Sequence, residues 1–141
     1  MERSIVLIKP DGMKKKVIGD VINRMEKAGL QVVGLKMLKL SDALLDVWYS
    51  HHKEKSYFAQ IKSYMMSTPV IAMVWEGDNV IKIIRDLAGP TDSTKAVKGT
   101  IRGDLGKDIQ ENVIHASDSK ESAKKELSLM FQPEEIHEIK L

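Results

Sequence analysis

Two patterns of apolar residues follow one another along the chain, continuous runs and stripes at helical spacing. Ile5–Ile8 and Val70–Trp75 are continuous apolar runs, which are typical of strands buried on both faces. A third β-rich segment, over residues 30–40, alternates instead, with Val33, Leu35 and Met37 on one side. That alternation predicts a strand with one wetter side, near the edge of a sheet.

Stripes at helical spacing predict helices between these strands. The predicted helices are Val17–Ala28, Ser41–Tyr49, Glu54–Met65, a segment capped by Asp78 that carries Leu87, and a segment capped by Asp118 that Pro133 closes. Lys9–Gly12 has the composition of a turn that ends the first strand. Gly89–Asn112 has no periodicity, and so long a structureless stretch in a compact domain is usually functional. Val113 and Ile114 then predict a short strand that leads to His115.

The order of these elements favours one α+β architecture. It is β-α-β-(α-α)-β-α-loop-β-α, which fits a ferredoxin-like βαββαβ fold with helices packed on a four-stranded antiparallel sheet. The two fully apolar strands are expected at the centre of the sheet. We find no internal repeat, and we expect residues 1–141 to form a single domain.

Composition and charge exclude several classes of protein. Hydrophobic residues make up 43% of the chain and charged residues 30%, which excludes a disordered tail. The chain has no cysteine, so a disulfide framework, a cysteine-bound metal and a thiol nucleophile are excluded. A net charge of +2 is too small to imply a binder of nucleic acid or of membrane surfaces. No apolar run approaches the 18 or so residues of a membrane span, and we expect a cytoplasmic protein.

His115 is the most interesting titratable residue, because it stands between a short strand and a capped helix. The N–H groups of a helix N-terminus favour anions, and a neutral histidine there can attack phosphorus as a nucleophile. A half-buried structural histidine is the alternative interpretation. The adjacent His51 and His52 diverge on a helix, which argues against a shared metal site.

Several basic residues are candidates for binding the phosphate groups of a substrate. Lys9 emerges where a buried strand ends, which is a good place to meet a phosphate. Only four of the 22 basic residues are arginine, and arginine forks onto phosphate. Arg102 lies in the aperiodic segment, where no need of the fold explains it. Arg85 could instead complement a helix dipole, and Tyr57 could be a core residue.

Three segments together resemble nucleoside diphosphate kinase. They are Ile8–Gly12, Gly99–Asp104 and Asn112–Ser119, in the family's order and spacing. The likeness covers nearly the whole chain. It implies a ping-pong transfer of the γ-phosphoryl group, mainly of ATP, through a phosphohistidine to a nucleoside diphosphate with broad base specificity.

The resemblance also implies a role for each matching residue. His115 is the matching nucleophile, and Ser117 and Glu126 match the pair that supports it. The remaining matches are Tyr49 beside the transferred phosphoryl group, Lys9, Arg85, Thr91 and Arg102 on the phosphates, Asn112 on the sugar, and Tyr57, Ile61 and Ile109 around the base. Mg²⁺ is expected to arrive on the nucleotide and not in a protein cage. The family forms hexamers or tetramers, and a hexamer is favoured here.

Some positions depart from the family pattern. Ala116 follows the histidine where many members have glycine, Tyr57 replaces a common phenylalanine, and Asp92-Ser93 stands where many have a proline. In the family, the loop that holds this last change often contacts a neighbouring subunit. There are two non-enzymatic alternatives. A ferredoxin-like binding module such as an RNA-recognition domain would stack bases on aromatics of its central strands, but Ile5–Ile8 and Val70–Val74 contain none. A regulatory module would be expected to lack the histidine or the phosphate-binding cations, which are all present.

Overall fold

A four-stranded antiparallel sheet forms the centre of the computed structural model, which describes residues 1–50 and 55–140. The strands are β1 (Glu2–Ile8), β2 (Gln31–Leu38), β3 (Val70–Gly77) and β4 (Ile114–Ala116), in the spatial order β2-β3-β1-β4. The two continuous apolar runs are therefore the central strands, as predicted. The antiparallel α+β architecture is confirmed.

Helices cover both faces of this sheet. Their bounds are α1 Pro10–Lys14, α2 Ile18–Lys27, α3 Asp42–Trp48, α4 Phe58–Met65, α5 Val80–Ala88, α6 Ile101–Leu105 and α7 Lys120–Met130. Alternate residues of β1 face the two layers: Val6 packs in a core with α2 and α5, and Leu7 in a core with α3, α4 and α7. In the described part of the chain, none of the helices is long and apolar enough to cross a membrane.

Several predicted boundaries and caps are wrong. Helix α4 begins at Phe58, while Glu54, His51 and His52 lie outside the described residues. The cap of α5 is Asn79 and not Asp78, with Glu2 Oε1 accepting the Ile81 N–H at 3.0 Å. Helix α7 is capped by Ser119, which forms a capping box with Ser122, so the predicted cap at Asp118 is one residue early.

Two segments predicted as irregular contain short helices. Lys9–Gly12 opens α1, because Pro10 supplies the fixed φ that suits a first helical residue. The aperiodic stretch holds a one-turn 3₁₀ helix, Ser93–Lys95, and then α6, capped by the side chains of Asp92 and Thr100 respectively. Elements this short end before an apolar period can repeat.

A β-bulge changes the predicted face of β2. The pairing with β3 shifts between Val32 and Gly34, and one extra residue inverts the alternation that follows. Val33 is therefore buried, but Leu35 and Met37 are 51% and 61% exposed at the sheet edge. The prediction that all three share one face is wrong.

Candidate active site

An open cleft of about 730 Å³ gathers most of the predicted site residues. It is lined by Lys9 after β1, Tyr49, Tyr57 and Ile61 around α3 and α4, Arg85 and Thr91 at the end of α5, Arg102 on α6, Ile109 and Asn112 before β4, and His115 on β4. Ten of the twelve predicted residues thus line one surface. The other two, Ser117 and Glu126, lie behind the histidine.

The His115 imidazole is held from behind by a buried carboxylate. Its Nε2 lies 2.7 Å from Oε2 of Glu126, and the exposed fractions of the two side chains are 26% and 5%. The Trp48 ring meets the imidazole edge-on, with ring centroids 4.8 Å apart. Since Nε2 is engaged, Nδ1 is the ring nitrogen left to react.

Glu126 is itself fixed by two further donors. Ser117 Oγ donates to Oε1 at 2.7 Å, and Trp48 Nε1 donates to Oε2 at 3.2 Å. Burial opposes ionisation of the carboxyl group, but the hydrogen bonds from His115, Ser117 and Trp48 outweigh it and hold the pKa of Glu126 below its usual value. The carboxylate is therefore charged and ready to stabilise a cationic imidazole.

Lys9 brings a partly desolvated positive charge to the opposite side of the cleft. Its Nζ donates to the Gln110 carbonyl at 2.6 Å and to Oδ1 of Asn112 at 2.7 Å. Burial lowers the pKa of Lys9 to about 8; the charge of Asp11 opposes this shift and that of Arg102 adds to it. Among the described residues Lys9 forms no ion pair within 4 Å, so its ammonium is available to a phosphate group.

Arg102 holds the surrounding loops together as well as facing the cleft. Its guanidinium donates to the carbonyls of Asn112, Gly89 and Ile114 at 3.2, 2.9 and 2.8 Å. A guanidinium has five N–H groups, so two remain for a ligand. Burial, with the nearby charge of Arg85, lowers the pKa of Arg102 to about 10. Sequence reasoning missed the structural half of this role.

Asn112 ties the aperiodic segment to the same cleft. Its amide nitrogen donates to the carbonyls of Thr91 and Ile109 at 2.9 and 3.1 Å, and its Oδ1 accepts from Lys9. These bonds explain how a segment with so little regular structure is held in place. The acceptor Oδ1 points to the side of the cleft where Lys9 stands.

Aromatic rings form one wall of the cleft. Tyr49 stacks on Trp48 with ring centroids 4.9 Å apart, and burial together with the charge of Glu126 raises the pKa of Tyr49 to about 12. Tyr57 is 41% exposed and Ile109 63% exposed, both lining the cleft. The wall therefore runs from a buried, protonated hydroxyl to an open apolar rim.

Four polar residues that were not predicted also line this cleft: Gln60, Tyr64, Gln110 and Asp118. Helical spacing places Tyr64 on an apolar stripe, and the sequence around Asp118 is that of a helix start, so neither carries a distinct signal. Among residues 1–50 and 55–140, no group of three or more histidine, aspartate or glutamate side chains could hold a metal ion.

Three cations facing a histidine that a carboxylate supports define a phosphoryl-transfer type of site. The family model of nucleoside diphosphate kinase matches residues 2–136. The chain is 47% identical to the nucleoside diphosphate kinase of Archaeoglobus fulgidus over 136 residues, which are 96% of this chain and 90% of that protein.

Solved structures agree with the sequence relatives. A nucleoside diphosphate kinase of Halobacterium salinarum in complex with CDP superposes with a TM-score of 0.95 at 39% identity, over 99% of this chain and 93% of that one. A family protein of Babesia bovis gives 0.96 at 36% identity, over 100% and 95%. The chain belongs to the nucleoside diphosphate kinase family.

Proposed function

We propose that the protein transfers the γ-phosphoryl group of a nucleoside triphosphate, mainly ATP, to a nucleoside diphosphate, and that His115 carries the group between them. The observation that carries the proposal is the engagement of Nε2 by Glu126 at 2.7 Å. It fixes the tautomer with the proton on Nε2 and leaves the Nδ1 lone pair facing the reaction.

The first half-reaction forms one bond and breaks one. The Nδ1 lone pair attacks the γ-phosphorus, and the bond from that phosphorus to the bridging oxygen of the β-phosphate breaks, so the diphosphate leaves. The imidazole becomes cationic, and its Nε2–H donates to the charged Glu126. In the second half-reaction a terminal β-phosphate oxygen of a new diphosphate attacks the phosphohistidine and restores neutral His115.

The side chains around the histidine supply positioning and charge neutralisation, which dominate in phosphoryl transfer. Lys9, Arg85, Thr91 and Arg102 are proposed to hold the phosphates. The Tyr49 hydroxyl stays protonated because its pKa is raised, so it can donate to the transferred group.

The open end of the cleft suits a nucleoside. We assign the face of Tyr57, with Ile61 and Ile109, to the base, and Asn112 with Lys9 to the sugar hydroxyls. Stacking on an aromatic ring tolerates every base, so broad base specificity is expected. The CDP named for the Halobacterium salinarum structure belongs to that protein and supports a nucleotide site here.

Mg²⁺ is proposed to enter as part of the nucleotide substrate. This ion usually keeps several waters and binds through substrate phosphates, helped by one or two carboxylates. The cleft, lined by three cations and by Asp118, leaves room for such a complex. The proposed location is the cytoplasm, and residues 1–141 are proposed to be a single domain.

A homo-oligomer is also part of the proposal, with a hexamer favoured over a tetramer on the family resemblance. The structure supports association through β2, an outer strand of the sheet, where Leu35 and Met37 are exposed. Exposed apolar strand edges invite pairing with another chain. Light scattering of the purified protein gives the subunit number; a monomer at working concentration would contradict this part.

Labelling with γ-labelled ATP tests the central proposal. The wild-type protein should take up an acid-labile, base-stable label, and His115→Ala should take up none while keeping its circular dichroism spectrum. His137→Ala is the matched control, because His137 is exposed in the tail and should be labelled like the wild type. Absence of label from the wild type would favour the non-enzymatic module.

A further inference from the structure

Val113 adopts a backbone conformation that its side chain disfavours. It is fully buried with φ +74°, and the Ile114 N–H donates to the Asn112 carbonyl across it at 2.9 Å. This is the pattern of a γ-turn of the rare, strained type. A β-branched residue at positive φ is an outlier, and such residues persist only where the surrounding contacts impose the conformation.

The contacts that impose it come from α1 and from Lys9, the residue before it. Oδ2 of Asp11 accepts the Val113 N–H at 2.9 Å, and the Lys9 N–H donates to the Val113 carbonyl at 2.9 Å. Gly12 is required beside this turn, because a Cβ there would lie 3.0 Å from the Val113 carbonyl oxygen. Hydrogen bonds therefore hold both the N–H and the carbonyl group of Val113 in place.

Asp11 is in turn fixed by a tyrosine from another helix. The Tyr64 hydroxyl donates to Oδ1 of Asp11 and accepts from the Asp11 N–H at 3.1 Å, so the two residues bind reciprocally. Asp11 is 3% exposed. Burial and the bond to Asp11 raise the pKa of the Tyr64 phenol, which keeps it a neutral donor.

We propose that Asp11 and Tyr64 are a positioning pair that holds the Val113 turn and thereby sets Asn112 and His115 on its two sides. The inference rests on the proposed role of His115. Neither residue needs to touch the transferred phosphoryl group for this. A displacement of about 1 Å in a reacting group can slow a reaction roughly a hundredfold, and the turn stands two residues from the nucleophile.

The charge of Asp11 has a second consequence at Lys9. The groups that face the Lys9 ammonium are Asp11 from α1, Arg102 from α6, Asp108 from the loop before β4, and the Tyr64 ring, whose centroid lies 5.7 Å from Nζ. Asp11 supplies the strongest of the attractions that oppose burial and Arg102. Removing this charge therefore lowers the pKa of Lys9 further below 8.

Asp11→Asn and Tyr64→Phe separate these effects. Asparagine has one acceptor oxygen where the carboxylate has two, so it cannot accept both the Val113 N–H and the Tyr64 O–H at the positions that Oδ2 and Oδ1 occupy. Phenylalanine removes the hydroxyl but leaves the Asp11 charge and its bond to Val113. Asp86→Asn is the matched control for lost charge, because Asp86 pairs only with the exposed Lys82 among the described residues.

The measurements are the single-turnover rate of labelling by γ-labelled ATP at saturation, and the pH profile of kcat/KM. We expect Asp11→Asn to be labelled about 10 to 100 times more slowly than the wild type, and its kcat/KM to fall at a lower pH. Tyr64→Phe should also be labelled more slowly, but the alkaline limb of its pH profile should not move. The double variant should lose less than the product of the two single losses, since the residues act as a unit.

Two results would overturn the inference. One is wild-type labelling rates in both folded single variants; the other is an alkaline limb of Asp11→Asn that coincides with that of Asp86→Asn. If Asp11→Asn does not fold, Tyr64→Phe alone decides, through its labelling rate at a temperature where circular dichroism shows it folded. Failure of the proposed function would appear separately, as absence of label in the wild type.

Discussion

Replacement of Glu126 by glutamine tests how much the charge behind His115 contributes. The carboxylate accepts from His115 Nε2 at 2.7 Å, Ser117 Oγ at 2.7 Å and Trp48 Nε1 at 3.2 Å. Glutamine has nearly the same shape, but it carries no charge and replaces one acceptor oxygen with a donor. It can turn its oxygen to His115, so the contact survives without the charge assistance.

The size of the effect follows from that loss. A hydrogen bond to a charged group contributes about 1.5–3 kcal/mol and a neutral one about 0.5–1.5 kcal/mol, so the lost charge assistance amounts to about 1–1.5 kcal/mol. The charge matters most when attack makes the imidazole cationic. If the whole of this difference appears in the transition state, labelling should slow by roughly 5- to 12-fold, since about 1.4 kcal/mol is tenfold in rate. The effect should fall on kcat of the first half-reaction and not on the affinity for ATP.

Rapid-quench measurement of phosphoenzyme formation at saturating ATP provides the assay. Glu121→Gln is the control, because it makes the same change on an exposed residue in the first turn of the same helix. Circular dichroism melting reports any loss of fold. A folded Glu126→Gln protein that is phosphorylated at the wild-type rate would refute the proposed role of the carboxylate.

Four other predictions concern the rest of the cleft. The kcat/KM value should fall as pH rises through about 8, where free Lys9 loses its proton; kcat should fall only at higher pH, because bound phosphate raises that pKa. Between a pH of about 8, the pKa of Lys9 in the folded protein, and 10.5, its ordinary pKa, Lys9 is protonated in the unfolded chain but not in the folded one. The contribution of Lys9 to the free energy of unfolding should therefore rise with pH over this range, and urea unfolding measured at a series of pH values tests this. Arg102→Ala should lower the free energy of unfolding by about 2 kcal/mol or more, since three backbone carbonyls lose a charged donor; an unchanged urea midpoint together with lost activity would make Arg102 a phosphate residue only. Tyr57→Ala should raise KM for all nucleoside diphosphates, and most for purines, because stacking contributes about 1–3 kcal/mol per base; a strong preference of the wild type for one base in matched assays would contradict the stacking model.

Long apolar patterns allowed the sheet to be predicted well. The apolar runs in β1 and β3 can be recognised without knowing which strands they pair with, because a strand buried on both faces has no polar residue within the run. The bulge in β2 is different, since a single extra residue at Val33 reverses the faces of Leu35 and Met37 without changing composition. The caps of α5 and α7 also escaped prediction, because several residues around a helix start can serve, as Asp118 and Ser119 show.

Residues of the candidate site could be predicted where several of them lie close together in the sequence. They could not be predicted where the site depends on contacts between residues that are far apart in the sequence. His115 and Asn112 stand together in one motif, and the resemblance covers them. Tyr64 and Asp11 lie 53 residues apart and meet only in the fold. The backbone strain at Val113 is likewise set by contacts with Asp11 of α1 and with Lys9, which no local pattern of residues records.

The cleft holds positive charge under conditions that disfavour it. Burial lowers the pKa of both Lys9 and Arg102. The charge of Arg102 lowers the pKa of Lys9 further, and the charge of Arg85 lowers that of Arg102. Both are nevertheless anchored, Lys9 by Asn112 and Gln110 and Arg102 by three carbonyls. Those anchors keep the two charges from turning out to solvent, so a phosphate bound there as proposed would meet donors that are already in place. Burial of the charges lowers the stability of the fold, and such a phosphate would offset that cost only while it is bound.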